Sequence, residues 1–323
     1  MAQDTDARGA ASSAEKRAAW VQACRLRTLP LAAAGSVVAA ALAADAHAFR
    51  WSVFVLMFLT SVALQVIANF ADDYGDLASG LDDDSRVGPR RGMQRGIISV
   101  PEMRRALAGL VAATLALGVA LVIVAFASGP ALGGGTVVAA VVFVALGVAS
   151  IAAAMLYTMG RHPYGYVGLG DLMSFLFFGV VAVVGGTFLY THAFSLVAVV
   201  AAVALGLPVA AVMNVNNMRD AIRDRAKGKR TVANALGDPA MRVYETALVV
   251  ASVALFLLSA ALCGVRSPLA YLVILVACVP WARALVSMWR IPDPERFDRL
   301  MGPMSGGSVI VAAVFALVVV IAG

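Results

Sequence analysis

The sequence predicts an all-α membrane protein with nine transmembrane helices, built as two four-helix halves plus one extra helix. Three observations predict it. Mean hydropathy is +0.87, with 61% hydrophobic and only 14% charged residues, far from a soluble globular average. The apolar residues fall into runs close to the roughly 20 residues that a helix needs to cross a hydrocarbon core. The basic residues collect on alternate connections between those runs, as cytoplasmic loops do.

The first 19 residues are small and polar, with no apolar run before Trp20. They read as a disordered cytoplasmic tail rather than a cleavable signal peptide, which leaves 20–323 as a single transmembrane domain. The first span, near 26–45, opens on Arg25-Leu26-Arg27-Thr28-Leu29-Pro30, where proline suits an early helical position. The second, 51–71, runs into an acidic motif. Residues 72–102 form the longest connection, first rich in Asp (Asp82, Asp83, Asp84), then basic and glycine-rich (Arg86, Gly88, Pro89). A structureless connection of this length is usually functional. Ser99-Val100-Pro101-Glu102 has the form of a capping box opening the third span, 103–127. Spans follow at 134–156, 168–190, 194–216, 243–263, 268–289 and 305–322.

With nine spans, the side holding the N-terminus carries 23 of the 25 basic residues, and the other side only Arg50 and Arg266. That asymmetry makes the N-terminus cytoplasmic and the protein a multi-pass component of the cell membrane. The net charge of +6 is therefore a topology signal. No basic and aromatic stacking platform accompanies it, so no nucleic-acid partner is expected. The three cysteines, Cys24, Cys263 and Cys278, lack metal or redox spacing and read as small packing residues.

The chemistry is concentrated in one repeated pattern. Asn69-Phe-Ala-Asp72-Asp73-Tyr-Gly-Asp76 and Asn217-Met-Arg-Asp220-Ala-Ile-Arg-Asp224 both read N-x-x-D-x-x-x-D. Offsets of three and four put the Asn and both Asp on one helix face. The copies close spans 2 and 6, so four spans separate equivalents and two similarly oriented halves are implied. A solvated, acidic helix end would explain one copy. Carboxylates at a bilayer edge are costly, and two copies at equivalent positions favour chemistry: Mg²⁺ held by one or two carboxylates together with a diphosphate. Arg91, Arg95, Lys227 and Lys229, adjacent in sequence, could meet the charge of such a leaving group, although positive-inside anchoring explains any one of them equally well. Arg25 and Arg27 border the same mouth. After span 4, the aromatic and glycine-rich stretch Tyr157 to Asp171 puts Tyr157 and Arg161 at i, i+4, where both could face one pocket. Asp171 reads equally as a pocket residue or as a favourable charge at a helix N-terminus.

These segments resemble the UbiA superfamily of intramembrane prenyltransferases, and within it look most like the 1,4-dihydroxy-2-naphthoate prenyltransferases of menaquinone synthesis. The resemblance covers about residues 20–290 and is carried by Arg25 to Pro30, the two acidic motifs, Gly88-Pro-Arg-Arg-Gly-Met-Gln-Arg-Gly96, Tyr157 to Asp171 and Gly228-Lys-Arg-Thr231. It implies a helical bundle with a central cavity open sideways to lipid. It implies catalytic and Mg²⁺-holding roles for Asp72, Asp73, Asp76, Asp220 and Asp224, with Asn69 among the metal ligands. Substrate contacts are then expected from Asn69, Arg91, Gln94, Tyr157, Arg161, Asn217, Lys227, Arg25 and Arg27. Two departures stand out: Asp72 replaces a common Asn, and Arg161-His162 stands where a Lys-Arg pair is usual.

The implied reaction moves a polyprenyl group from polyprenyl diphosphate to 1,4-dihydroxy-2-naphthoate, with loss of CO₂. The same enzyme class acting on another aromatic acceptor, such as 4-hydroxybenzoate, is the alternative. A cation-coupled transporter is a third reading, disfavoured because its carboxylates belong near the midplane and not at helix ends.

Overall fold

A chain crossing hydrocarbon must satisfy every backbone N–H and C=O internally, and the apolar runs do so as helices. The computed structural model describes residues 12–80, 90–127 and 134–323. Among the described residues no β-strand forms. The long elements are α3 (Trp51–Ala78), α4 (Val100–Ala127), α5 (Gly134–Leu156), α8 (Leu196–Ala226), α10 (Ala240–Leu262) and α13 (Asp298–Ala322). A further continuous span, Gly170–Thr191, consists of α6 (Gly170–Ser174), a π-helix (Phe175–Gly185) and α7 (Gly186–Thr191). Two bent pairs complete the set: α1 (Ser13–Cys24) with α2 (Leu29–Asp45) at 44°, and α11 (Pro268–Ala277) with α12 (Val279–Arg290) at 42°. The short α9 (Val232–Leu236) follows α8. Among the described residues seven helices are long and apolar enough to cross a membrane, and up to nine spans result if each bent pair counts as one.

Both acidic motifs lie inside helices. Span 2 was expected to end at 71 and span 6 at 216, but α3 runs to Ala78 and α8 to Ala226. Nothing in either segment stops a helix until Gly80 and Gly228, each in the left-handed conformation (φ 73 and 80) that ends helices cheaply at glycine. The long connection is correspondingly shorter. Its Asp82, Asp83, Asp84, Arg86, Gly88 and Pro89 lie outside the described residues.

The boundary expected at residue 19 falls inside α1, so the tail reading does not hold for residues 12–19; residues 1–11 lie outside the described residues. Ser12 and Glu15 form a reciprocal capping box, Ala19 and Ala23 are buried, and Trp20 packs on Phe70 at 5.4 Å. Lys16 pairs with Glu102 at the start of α4. At that start, Glu102 accepts from the Ser99 N–H (2.8–2.9 Å, hydroxyl and amide together), so the carboxylate half of the expected capping box is present. The α1–α2 break turns on Arg25, at φ 49, which swings its side chain inward while Arg27 stays exposed. Pro280 at the start of α12 marks the second bend.

Alanine-rich α2 is apolar all round and buried along nearly its whole length, packed against α13, α3 and the π-helical span. Among the long helices α8 is the most buried and α5 the least. Large apolar side chains such as Ile123, Val141 and Leu317 face outward, as lipid contact requires. At the end of α3 remote from its acidic motif, Phe49, Trp51, Phe54 and Tyr190 form an aromatic cluster. There Arg50 donates to the carbonyls of Ala125 (3.0 Å) and Leu189 (2.7 Å), closing the last turns of α4 and α7.

Candidate active site

The continuation of both acidic motifs as helix gives each a long face of constant direction. On α3 that face runs Met57, Ser61, Leu64, Gln65, Ala68, Asp72, Asp76; on α8 it runs Val209, Met213, Asn216, Asp220, Asp224. Both faces line one cavity of about 500 Å³. Its polar end carries four carboxylates, Asp72, Asp76, Asp220 and Asp224, and five cations, Arg25, Arg91, Arg219, Arg223 and Lys229. Its other walls are apolar, from Leu115 and Val119 of α4, Phe143 and Val144 of α5, and Phe177, Phe178 and Val181 of the π-helix.

The charges are paired across elements. Arg25 donates to Asp72 (2.9 Å) and to Asp73 (2.8 Å). Arg91 lies 2.9 Å from Asp73 and 3.2 Å from Asp76. On the other side, Arg219 bonds Asp220 (2.7 Å), Asp298 (2.8 Å) and Asn216 (2.8 Å). Arg223 sits 3.7 Å from both Asp220 and Asp224, and Lys229 is 2.9 Å from Asp224.

The segments after α5 and α8 close over this end. The Arg230 N–H donates to the Tyr166 carbonyl at 2.9 Å, and the Tyr166 hydroxyl donates to Asp76 at 3.0 Å. Tyr157 and Tyr164 line the cavity side by side, their rings 5.4 Å apart. Burial, then the charges of Asp72 and Asp76, pushes the Tyr157 hydroxyl well above its ordinary range. Burial, then Asp72, pushes Tyr164 up to about 12. Both therefore stay neutral near pH 7; Tyr164 donates to the Ala153 carbonyl (2.8 Å), while Tyr157 meets the Met213 sulfur (3.3 Å) and can act as a donor into the cavity.

A cavity that is charged at one end and greasy along the rest suits a phosphorylated lipid. Comparison with known proteins decides the family. The UbiA prenyltransferase family model matches residues 33–305. The chain belongs to the UbiA prenyltransferase family. Two relatives are both named 1,4-dihydroxy-2-naphthoate octaprenyltransferase. The one from Escherichia coli (strain K12) is 42% identical over 72% of this chain and 73% of its own length. The one from Haemophilus influenzae is 36% identical over 94% and 96%. Among solved structures, an apo UbiA homologue from Aeropyrum pernix K1 superposes with a TM-score of 0.61 at 20% identity, covering 93% of this chain and 98% of that one. At that identity the likeness speaks for the shared fold.

Within this UbiA-family cavity the residues expected from sequence are divided. Asn69, Asp72, Asp76, Asp220, Asp224, Arg25, Arg91 and Tyr157 line it. Asp73 is buried directly behind, held by Arg25 and Arg91. The amide of Asn69 is engaged: it donates to the Cys24 carbonyl (2.9 Å) and accepts from Gln65 (3.0 Å), tying α3 to the α1–α2 break. Asn217 turns away and donates to Asp171 at 3.2 Å, and Asn216 faces the cavity in its place. Arg27 and Arg161 are exposed outside the cavity, and Lys227 reaches back to the Gly80 carbonyl (3.1 Å). Gln94 accepts from the Arg91 N–H (3.3 Å), shaping the turn that presents Arg91.

Arg219 and Arg223 were not singled out from sequence, although they occupy the spaces of the second motif. Their signal was present in its spacing: each is the residue before an Asp on the cavity face, so each falls on that face's edge. Tyr164 and Tyr166 carry no mark in the sequence beyond their place in an aromatic-rich turn.

Proposed function

We propose that this chain transfers a polyprenyl group from polyprenyl diphosphate to 1,4-dihydroxy-2-naphthoate, with Mg²⁺ as cofactor and loss of CO₂, giving the reduced, quinol form of demethylmenaquinone. The observation that carries the reading is that both acidic motifs line the polar end of one otherwise apolar cavity. The names of the relatives support the acceptor and the menaquinone pathway. A nine-span topology in the cell membrane, with the N-terminus and this charged end cytoplasmic, belongs to the same reading and rests on the basic-residue asymmetry.

The donor set fits Mg²⁺. Asp72 Oδ1 is buried and accepts no hydrogen bond, and three further carboxylates share its cavity. Among the described residues no three acidic, His or Cys side chains converge into a ready cage. That accords with Mg²⁺, which takes one or two carboxylates and completes its shell with phosphate and water. Asp72, Asp76, Asp220 and Asp224 would hold it. When bound, Mg²⁺ supplies positive charge on the diphosphate oxygens as the C–O bond breaks.

The chain's own groups do the rest. Arg25, Arg91, Arg219, Arg223 and Lys229 already balance the carboxylates, and they surround the position where the leaving diphosphate gathers negative charge. Tyr157, whose hydroxyl meets only the Met213 sulfur (3.3 Å), offers a neutral O–H donor at the same end. The apolar walls exclude water that would otherwise quench the allylic cation. The bond from the prenyl carbon to the diphosphate oxygen breaks, a carbon–carbon bond forms to the electron-rich ring, and the ring's carboxylate departs as CO₂.

Chelation with EDTA is expected to abolish transfer by the purified protein and added Mg²⁺ to restore it; transfer that persists in EDTA would exclude the metal's role. Offered both acids, the protein is expected to turn over 1,4-dihydroxy-2-naphthoate in preference to 4-hydroxybenzoate, and the reverse preference would overturn the acceptor assignment. Lys229→Ala should lower the transfer rate by roughly 10²-fold, the scale of losing one preorganised donor. Arg161→Ala should leave the rate unchanged, because that side chain stands outside the cavity. Equal losses in the two variants would contradict the geometry.

A further inference from the structure

We infer that a divalent cation binds at a second site behind the cavity, between α6, α8 and α10, with oxygen ligands from Asp171, Asn214, Asn217 and Glu245. None of the four lines the cavity. All are deeply buried: Asp171 is 3% exposed, Asn217 2%, and Asn214 and Glu245 0%. Asn217 Nδ2 donates to Asp171 Oδ1 at 3.2 Å, and Asn214 Nδ2 donates to Glu245 Oε2 at 2.9 Å. Asn214 and Asn217 are one turn apart on α8, and the two carboxylates they bridge to are close enough to interact electrostatically.

Two observations point to a ligand. First, Asn214 Oδ1, Asn217 Oδ1 and Glu245 Oε1 are buried without a hydrogen bond, beside an Asp171 carboxylate that Asn217 and the Tyr244 hydroxyl engage. Three orphaned acceptors on two side chains one turn apart and a carboxylate bonded to one of them are far from the usual state of buried polar groups, and an ion is among the ordinary explanations. Second, among the described residues neither carboxylate has a basic partner. Arg242, one turn before Glu245, is committed to Asp238 (2.7 Å) and to the Ile291 carbonyl (2.8 Å). Two uncompensated carboxylates out of water are costly, and a single doubly charged ion would neutralise both. Carboxylate and amide oxygens are hard donors of the kind that Ca²⁺, Mg²⁺ and Mn²⁺ accept. The ion would join the start of the π-helical span, α8 and α10. Asn217 lies one turn before Asp220, so the site would fix the rotation of α8 that presents the second acidic motif, making these positioning residues.

The test is Mn²⁺ stoichiometry by electron paramagnetic resonance on the full chain in detergent, with thermal unfolding in Mn²⁺ and in EDTA. Glu245→Gln, an isosteric change, is made in the wild type and in an Asp72→Asn/Asp220→Asn background. The expected result is the loss of one Mn²⁺ equivalent on Glu245→Gln in both backgrounds, with loss of that ion's share of the Mn²⁺-dependent rise in Tm. Unchanged stoichiometry on Glu245→Gln overturns the site and leaves a protonated Glu245 as the account of the cluster. Should Glu245→Gln fail to fold, Asn214→Leu in the same backgrounds gives the same readout. The prenyltransferase reading fails separately, in the transfer assay.

Discussion

Asp220→Ala is expected to abolish prenyl transfer while the bundle stays folded. On the proposed reading Asp220 helps to seat metal and diphosphate, and removing such a carboxylate forfeits several kcal/mol of transition-state stabilisation; about 4 kcal/mol corresponds to roughly 10³-fold in rate. The fold should tolerate the change because its two cationic neighbours keep partners. Arg219 retains Asp298 and Asn216, and Arg223 retains Asp224. Asp72→Ala is the matching case on α3, where Arg25 retains Asp73. If both carboxylates serve one metal–diphosphate complex, the double variant should lose little more than either single one, since residues acting as a unit are not additive. The measurement is initial transfer rate at saturating Mg²⁺, with elution volume and thermal unfolding as controls. A well-folded Asp220→Ala protein with wild-type rates would sink the assignment.

The outcome for the acidic motifs shows what the sequence made legible. Helical periodicity placed Asp72 with Asp76 and Asp220 with Asp224 on common faces, and both faces do line the cavity. The edge of a face was not legible. Asn69 and Asn217 precede the first Asp of their motif by three residues, which sets them about 60° round the helix from it at 100° per residue. Asn69 still reaches the cavity wall while Asn217 is drawn to Asp171, a difference made by which neighbour packs against each helix.

Arg25 and Arg27 make the same point. They looked equivalent, and a left-handed residue at Arg25 sends one to Asp72 and Asp73 and leaves the other exposed. The helix α1 was obscured because its sequence is polar on most faces; what holds it is docking of Ala19, Ala23 and Trp20 on the bundle, a tertiary effect. Arg219 and Arg223 were hidden for another reason. Positive-inside anchoring accounts for any arginine near a cytoplasmic helix end, so a functional one carries no separate mark.

Gly179→Ala tests whether the cavity depends on close helix packing as much as on its charges. Gly179 sits in the π-helix, where an added Cβ would lie 2.5 Å from the Ala202 carbonyl oxygen and 2.8 Å from Gly206 Cα, both on α8. The obstructing atoms are backbone, so no rotamer relieves them, and small residues are what allow such approach between membrane helices. Alanine gains up to about 1 kcal/mol in helix propensity over glycine. Overpacking costs about 1–3 kcal/mol, so destabilisation should win. The functional loss should be larger, because relief of the clash pushes α8 away and carries Asp220 and Asp224 with it. A misplacement near 1 Å can cost roughly 10²-fold. Gly109→Ala on α4, where an added Cβ meets nothing within 4 Å, is the control and should hold or raise stability. The two variants are compared by thermal unfolding in detergent and by transfer rate well below the transition. If Gly179→Ala matches Gly109→Ala in both measurements, the contact between the π-helix and α8 does not set the position of the second acidic face.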